Sequence, residues 1–182
     1  MKAKRKREEG KVAIGRPSGD EAAPYYFTYI NQAADEDVVS LLEKQAEEAP
    51  TFFATISAEK SLYRYASGKW SIRELVGHLS DAERVFAHRA LWFARGHEDP
   101  LPSFDQNIAV SNAKSDELQW PAHIEEFRRV HLSSASLFRN MPEGAWMRRG
   151  TASGHSFTVR ALAFVIAGHL THHVRILRER YL

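Results

Sequence analysis

Apolar residues recur with the period of an α-helix in four long segments, and this pattern restricts the fold more than any other feature of the sequence. The segments cover residues 35–57, 71–96, 116–140 and 158–180. No long segment alternates apolar and polar residues as a half-buried β-strand would. Helices of about 20 residues fit a four-helix bundle, so we predict an all-α fold of that type. The long connections leave the topology open between a simple up-down arrangement and a crossover form.

Each predicted helix has one apolar stripe that should face the core. Ser71 and Glu74 have capping-box spacing at the start of the second helix, and Thr158 is a predicted N-cap of the fourth. Pro50 lies inside the first helix and is expected to kink or interrupt it. The stripe of the first helix consists of Val38, Leu41, Leu42, Gln45, Phe52 and Ile56, and that of the second of Ile72, Leu75, Leu79, Ala82, Phe86 and Phe93. The stripe of the third helix consists of Trp120, Ile124, Phe127, His131 and Phe138, and that of the fourth of Leu162, Ile166, His169, His173 and Ile176.

Glycine and proline fall mostly between these segments and indicate loops. Residues 97–115 and 141–157 are predicted to be long loops, and loops of that length in compact domains are often functional. The run PYYFTYI within residues 15–34 is too apolar to be fully solvated. We therefore predict an ordered entry segment that packs across one end of the bundle.

The length of 182 residues suits one domain, and 43% hydrophobic with 26% charged residues is ordinary for a globular fold. Residues 1–11 contain six Lys or Arg and two Glu, a charge of +4, so the remainder carries −2 of the total of +2. We predict a disordered basic tail at residues 1–14 and a single domain at residues 15–182. The acidic remainder argues against a dedicated nucleic-acid-binding domain, which usually has a basic face.

Several classes of protein are excluded by what the sequence lacks. It contains no cysteine, which removes disulfides, thiolate ligands and cysteine nucleophiles. No apolar run approaches the roughly 20 residues that cross a bilayer, and no apolar stretch follows the basic start as in a secretory signal. We therefore expect a cytoplasmic protein with no membrane partner.

Three histidines form a candidate metal site. His169 and His173 are four residues apart on the apolar stripe, so both imidazoles can reach one ion from the same face. Two inward histidines would each need a hydrogen-bond partner in the absence of a metal. His78, on the flank of the second stripe, is the predicted third ligand, and three protein nitrogens leave a coordination position open. Imidazole ligands suit Zn, Ni, Cu or Fe.

Other interpretations of these residues stay open. A pair with this spacing arises readily by chance in a chain with nine histidines, and inward histidines are commonly hydrogen-bonded core residues. His131 on the third stripe is a candidate fourth ligand or a residue that supports a ligand, and His172 is expected at the rim. Asp81, three residues after His78, could orient an imidazole or act on a bound water as a catalytic residue, or be a solvated acid. Asp105 and Asn107 could close over the site.

The ordered combination of three segments resembles the DinB-like superfamily with its YfiT-type members. GKWSIRELVGHLSDAERVFAHRAL at 68–91 resembles the second helix of that family, and TVRALAFVIAGHLTHHVRIL at 158–177 resembles its last helix. Residues 15–46 resemble its lead into the first helix. The resemblance implies a four-helix bundle, usually dimeric, with one Zn or Ni held by three histidines that map onto His78, His169 and His173. The dimer would form through helix faces that include Trp92 and Phe93.

The resemblance also implies functions, and it has two departures. Characterised relatives are thiol S-transferases that use a low-molecular-weight thiol, or related isomerases; other members are described as metal-dependent hydrolases. A non-catalytic metal-binding protein of the stress response is the alternative from another class. Many relatives follow the last ligand with R-G-Q, where this chain has Val174, Arg175 and Ile176, and many have Arg near the position of His131. These departures affect the expected chemistry toward a small-molecule substrate more than the expected binding of the metal.

Overall fold

A computed structural model describes residues 14–33 and 37–182. The predicted tail, apart from Ile14, lies outside the described residues. Within them the chain forms six α-helices and one antiparallel hairpin, so the predicted helical fold is confirmed with a small β addition. The helices are α1 Phe27–Ile30, α2 Val38–Ala54, α3 Ile72–Ala94, α4 Gln106–Ala113, α5 Trp120–Arg139 and α6 Val159–Ile176, and the strands are β1 Arg149–Ala152 and β2 His155–Thr158.

The four long helices α2, α3, α5 and α6 form the bundle. Helix α2 packs against α5 and α6, and α3 packs against the same two helices. The order around the bundle is therefore α2, α5, α3, α6. Consecutive helices α2 and α3 are diagonally opposite, as are α5 and α6, so the chain adopts the crossover type of topology.

The predicted apolar stripes face the core of this bundle. Their members are buried except for five half-buried side chains, which are Phe52, Phe86, Ile124, His173 and Ile176. The stripe of α6 is the most enclosed, since every residue from Val159 to Leu170 except Arg160 is buried. Among the described residues, no helix is both long and apolar enough to cross a membrane.

The predicted caps fix the starts of the two helices that carry the candidate ligands. Ser71 Oγ accepts from the Glu74 backbone N–H at 3.0 Å, and Glu74 Oε2 accepts from the Ser71 N–H at 2.8 Å, which confirms the capping box. Thr158 Oγ1 accepts from the Ala161 N–H at 3.0 Å and caps α6 as predicted. A cap of this kind stabilises a helix by about 1 kcal/mol.

Helix boundaries differ from prediction at three places. Helix α2 continues through Pro50 without interruption, because packing of a helix face contributes more to its stability than backbone propensity does. Helix α5 begins at Trp120 rather than near 116, since Ser115–Glu117 forms a separate 3-10 turn. Helix α6 is followed by a π-helical turn at Leu177–Tyr181.

Both predicted loops contain regular structure, so their assignment as loops throughout was wrong. Residues 97–115 include α4, whose N-cap Asp105 accepts from the Asn107 and Ile108 N–H groups at 2.8 and 3.1 Å. Residues 141–157 include β1 and part of β2, which are too short to show an alternating pattern. The Leu101 N–H donates to Thr151 O at 2.9 Å and joins the two regions.

The expected dimer face is wrong for one of its two residues. Phe93 is 1% exposed and packs within the chain against Gly150, where an added Cβ would lie 2.0 Å from the Phe93 ring. Trp92 is half-buried and stacks on His97 with ring centroids 3.9 Å apart. Phe93 is therefore unavailable to a second subunit, because this helix face is covered by the β-hairpin. The homodimer itself stays a prediction.

The entry segment packs at the start of α6, where the Thr158 N–H donates to Glu21 O at 3.0 Å, as the sequence predicts, and also extends to the middle of that helix. Helix α1 lies on α6, and a Cβ added at Gly168 would fall 2.0 Å from the backbone oxygen of Tyr29. Only a residue without a side chain permits this approach, since the neighbouring atom belongs to the backbone and cannot turn away. The contact also positions the Tyr29 ring 5.1 Å from the ring of His169, measured between centroids.

We predict that Gly168→Ala destabilises the protein. Alanine would gain up to about 1 kcal/mol in helix propensity, but the clash with Tyr29 should exceed that gain and give a net loss of about 2 kcal/mol or more. Urea unfolding followed by circular dichroism measures the free energy of unfolding. Gly144→Ala is the control, because a Cβ there meets nothing within 4 Å. Equal stability of the two variants would contradict the close approach of α1.

Candidate metal centre

Three histidines converge where α3 packs against α6. His78 comes from α3, and His169 and His173 come from successive turns of α6. The Nε2 atom of His169 lies 3.2 Å from Nε2 of His78 and 3.1 Å from Nε2 of His173. The ligand atoms of all three lie within 4.8 Å of one another, so the structure brings the predicted ligands together.

These residues fit a tetrahedral transition metal. Zinc–nitrogen bonds of about 2.0–2.1 Å at tetrahedral angles separate two ligand nitrogens by about 3.3 Å, close to the two measured contacts. One neutral imidazole nitrogen either donates or accepts, so hydrogen bonds alone cannot satisfy His169 Nε2 toward both neighbours. The Nδ1 atoms of His78 and His173 are also buried and have no hydrogen-bond partner among the described residues. A cation shared by the three Nε2 atoms resolves the first of these conflicts.

Burial keeps the three imidazoles neutral. It lowers the pKa of His78 to about 4. Burial, and then the neighbouring His78 and His172, lower the pKa of His173 to about 3. The pKa of His169 is lowered well below its ordinary value by burial and then by His173, His78 and His172. Neutral imidazole is the form that binds a metal, so the ligands are ready at neutral pH without losing a proton.

Aromatic rings enclose the histidines. Trp70 lies 4.9 Å from His78, and Tyr29 and Phe86 lie 5.1 and 6.1 Å from His169, measured between ring centroids. The Tyr29 hydroxyl is 3.0 Å from that of Tyr25. This shell lowers the local dielectric and strengthens any electrostatic interaction at the ligand atoms.

Two cavities meet the histidine cluster. The larger, of about 440 Å³, reaches His78 and His169 and is within the usual size of a small-molecule site. The smaller, of about 270 Å³, reaches His173 beside Trp70. Asn107 at the start of α4 lines both cavities. Both faces of the cluster are therefore accessible to small molecules.

The loop residues considered from sequence lie at the larger cavity, but Asp81 does not. Asp105 and Asn107 line that cavity, although the Asp105 carboxylate is engaged as the cap of α4. Asp81 is absent from the lining of both cavities, and its Oδ1 lies 3.4 Å from Nη1 of Arg84 in a partly exposed ion pair. Burial raises the pKa of the Asp81 carboxyl. A catalytic role for Asp81 stays a prediction.

His131 and His172 lie outside the three-histidine cluster. His131 is buried in the core with its Nδ1 2.8 Å from Oε2 of Glu83 and its ring stacked on Phe127. His172 is half-buried, with its Nδ1 3.0 Å from Nε2 of Gln32. Its position beside the cluster is that of a rim residue.

Sequence reasoning missed several residues of the larger cavity, among them Tyr29 and Arg89. In the sequence, Tyr29 is only one member of an apolar run. No local pattern places it against His169, because that contact depends on the close approach of the Tyr29 backbone to Gly168. Arg89 could have been found from its spacing, since it lies eleven residues after His78 on the same face of α3. The spacing of charged residues along a helix that carries candidate ligands therefore helps to predict which residues line the site, as the apolar stripe does.

Comparison with known proteins gives the family of the chain and supports its fold. The family model of the DinB superfamily matches residues 41–177. The chain belongs to the DinB superfamily. A solved structure of YfiT from Bacillus subtilis, described as "a probable metal-dependent hydrolase with an unusual four-helix bundle topology", matches with a TM-score of 0.70 at 18% identity, over 92% of this chain and 95% of that one. A comparison with curated protein sequences gives no match.

The buried imidazoles predict a specific pH dependence for the metal-free protein. Their folded pKa values lie below the unfolded value of about 6.5, so the unfolded chain binds more protons below pH 6.5 and stability falls as the pH decreases. From pH 7.5 to 5.5, each such histidine should remove about 1 kcal/mol of stability. Unfolding by urea with a chelator present should therefore show a shallower pH dependence for His78→Leu than for the wild type. Equal slopes would show that the His78 pKa is not depressed.

Proposed function

We propose that this DinB-superfamily protein is a metal-dependent enzyme whose His78, His169 and His173 bind one divalent transition metal, Zn or Ni. The convergence of three neutral Nε2 atoms beside a cavity carries the proposal. Three protein nitrogens leave a coordination position open, as in catalytic rather than structural sites. His131, the candidate fourth ligand, pairs instead with Glu83. An open site next to a cavity favours an enzyme over the non-catalytic stress-response alternative.

We propose further that the reaction is transfer of a low-molecular-weight thiol to an electrophile. A divalent metal lowers the pKa of a coordinated thiol or water and so supplies a nucleophile near neutral pH. The paired cavities support a reaction with two substrates, because each reaches a different member of the histidine cluster. Tyr29 and Asn107 supply polar groups that can orient the substrates there.

Hydrolysis is the second candidate function. It is favoured by the fold shared with YfiT, which was described as a probable metal-dependent hydrolase. It needs the same three histidines but only one organic substrate, so the smaller cavity would then admit water. A catalytic role for Asp81 stays a prediction in either reaction, and the pairing of its carboxylate with Arg84 outside the cavity lining disfavours a direct contact with the substrate.

Metal content tests the site directly. Protein purified without an affinity tag should contain about one Zn or Ni per chain by inductively coupled plasma mass spectrometry, as expected for one three-nitrogen site. His78→Ala and His173→Ala should each lose the metal, because two imidazoles bind it far more weakly than three. His172→Ala is the matched control on the same helix and should retain it. A wild type that stays metal-free after incubation with Zn and Ni would refute the site.

Activity distinguishes transfer from hydrolysis. The metal-loaded protein should consume a small thiol together with an alkylating electrophile, measured by loss of free thiol and by mass spectrometry of the conjugate. His78→Ala should lower the rate by at least about 100-fold, since the activated nucleophile would be lost. Metal-dependent ester or amide cleavage without a thiol requirement would favour the hydrolase. A loaded protein inactive in both screens would favour the non-catalytic alternative.

A further inference from the structure

Arg89 places a buried positive charge in the wall of the larger cavity. The residue is 3% exposed, and its Nη2 donates to Pro102 O at 3.0 Å and to Ser153 Oγ at 2.9 Å. It also interacts with the Tyr26 hydroxyl, and its guanidinium carbon lies 5.8 Å from the centre of the Phe86 ring. All of these partners are neutral, although a guanidinium offers five N–H donors.

No carboxylate among the described residues lies within 4 Å of this guanidinium, whereas Arg64, Arg84 and Arg160 each pair with an acid. The acid of the same cavity, Asp105, is engaged in capping α4. Burial lowers the pKa of Arg89, because a charge without a counter-ion is costly in a region of low dielectric. A buried charge of perturbed pKa in the wall of a cavity marks a candidate site for a ligand that supplies the partner.

One face of α3 links Arg89 to the histidine cluster. His78, Ala82, Val85, Phe86 and Arg89 all line the larger cavity and follow one another at helical spacing. The Cα atoms of residues eleven apart on a straight helix are separated by roughly 16 Å. Along the wall formed by α3, the cavity therefore has a histidine end, an apolar middle and a cationic end.

We propose that Arg89 binds the carboxylate of an elongated substrate whose chain crosses the apolar middle and whose reactive end reaches the histidines. The orientation of the reactive end rests on the proposed function, but the anion site does not. Planar carboxylates match the fork of N–H donors on a guanidinium. Arg89 thus selects substrates by charge and length, while taking no part in the chemistry.

A series of thiols of increasing length tests this proposal. Zinc-loaded protein is titrated by calorimetry with ω-mercapto carboxylates from mercaptopropionate to mercaptoundecanoate, and with the ω-mercapto alcohols of matching length. Long carboxylates should bind about 10- to 100-fold more tightly than the alcohols, as expected for one charge-assisted hydrogen-bonded pair. Mercaptopropionate should show no such preference, because it is too short to span the two ends.

Two variants separate the charge of Arg89 from its structural contacts. Arg89→Met keeps the aliphatic stem and should abolish the preference for the carboxylates, whereas Ser153→Ala removes one neutral contact and should retain it. If Arg89→Met fails to fold, Arg89→Lys is used, which keeps the charge but lacks the planar fork and should reduce the preference. A wild type that does not distinguish long carboxylates from alcohols, or a folded Arg89→Met that still does, would overturn the proposal.

The metal-free protein distinguishes failure of this site from failure of the proposed function. His78→Ala, titrated with undecanoate and undecanol under a chelator, should still prefer the carboxylate, because no metal is needed for the contact with Arg89. A wild type that binds no metal but keeps the preference for undecanoate over undecanol would refute the metal enzyme and keep the anion site. A wild type that binds metal but does not prefer carboxylates over alcohols, with the metal or without it, would refute the anion site alone.

Discussion

The contact between α3 and α6 is the interaction on which the candidate site depends, because it confines three imidazoles at one point of the core. Burial lowers the pKa of each imidazole and so disfavours the protonated form at neutral pH. A single Nε2 of His169 cannot satisfy both of its histidine neighbours by hydrogen bonding alone. A core built only for stability would place apolar residues there. The cluster therefore supports the metal site proposed above over a purely structural role for the three histidines.

The elements around this contact position the helices that carry the histidines and form the walls of the adjacent cavity. The capping box of Ser71 and the cap of Thr158 set where each ligand-bearing helix begins. Gly168 admits the backbone of Tyr29 and so brings α1 against the cluster. Helix α4 and the hairpin close the far side of the larger cavity, where Arg89 contacts Pro102 and Ser153. Elements without strong periodicity in the sequence thus form much of the wall that faces a substrate.

The bundle could be predicted from the helical spacing of apolar residues, and the convergence of three histidines from that spacing together with the family resemblance. His169 and His173 share a face by geometry alone, and the capping box of Ser71 is a local signal. Helix α4 and the hairpin were missed because eight- and four-residue elements show little pattern. The position of Tyr29 depends on a single long-range approach at Gly168, which no local rule encodes. The interior position of Phe93 likewise depends on the hairpin that covers it.

The diagonal order of the helices has a consequence for how the site assembles. His169 and His173 are one helical turn apart and can meet in any transient helix, but His78 is separated from His169 by 91 positions along the chain. Closing so long a loop is slow and occurs only when α3 docks on α6. A partly folded chain therefore offers at most two of the three histidines, and tight binding at the proposed metal site would require completed folding. A bound ion would in turn link α3 to α6 and stabilise their packed arrangement.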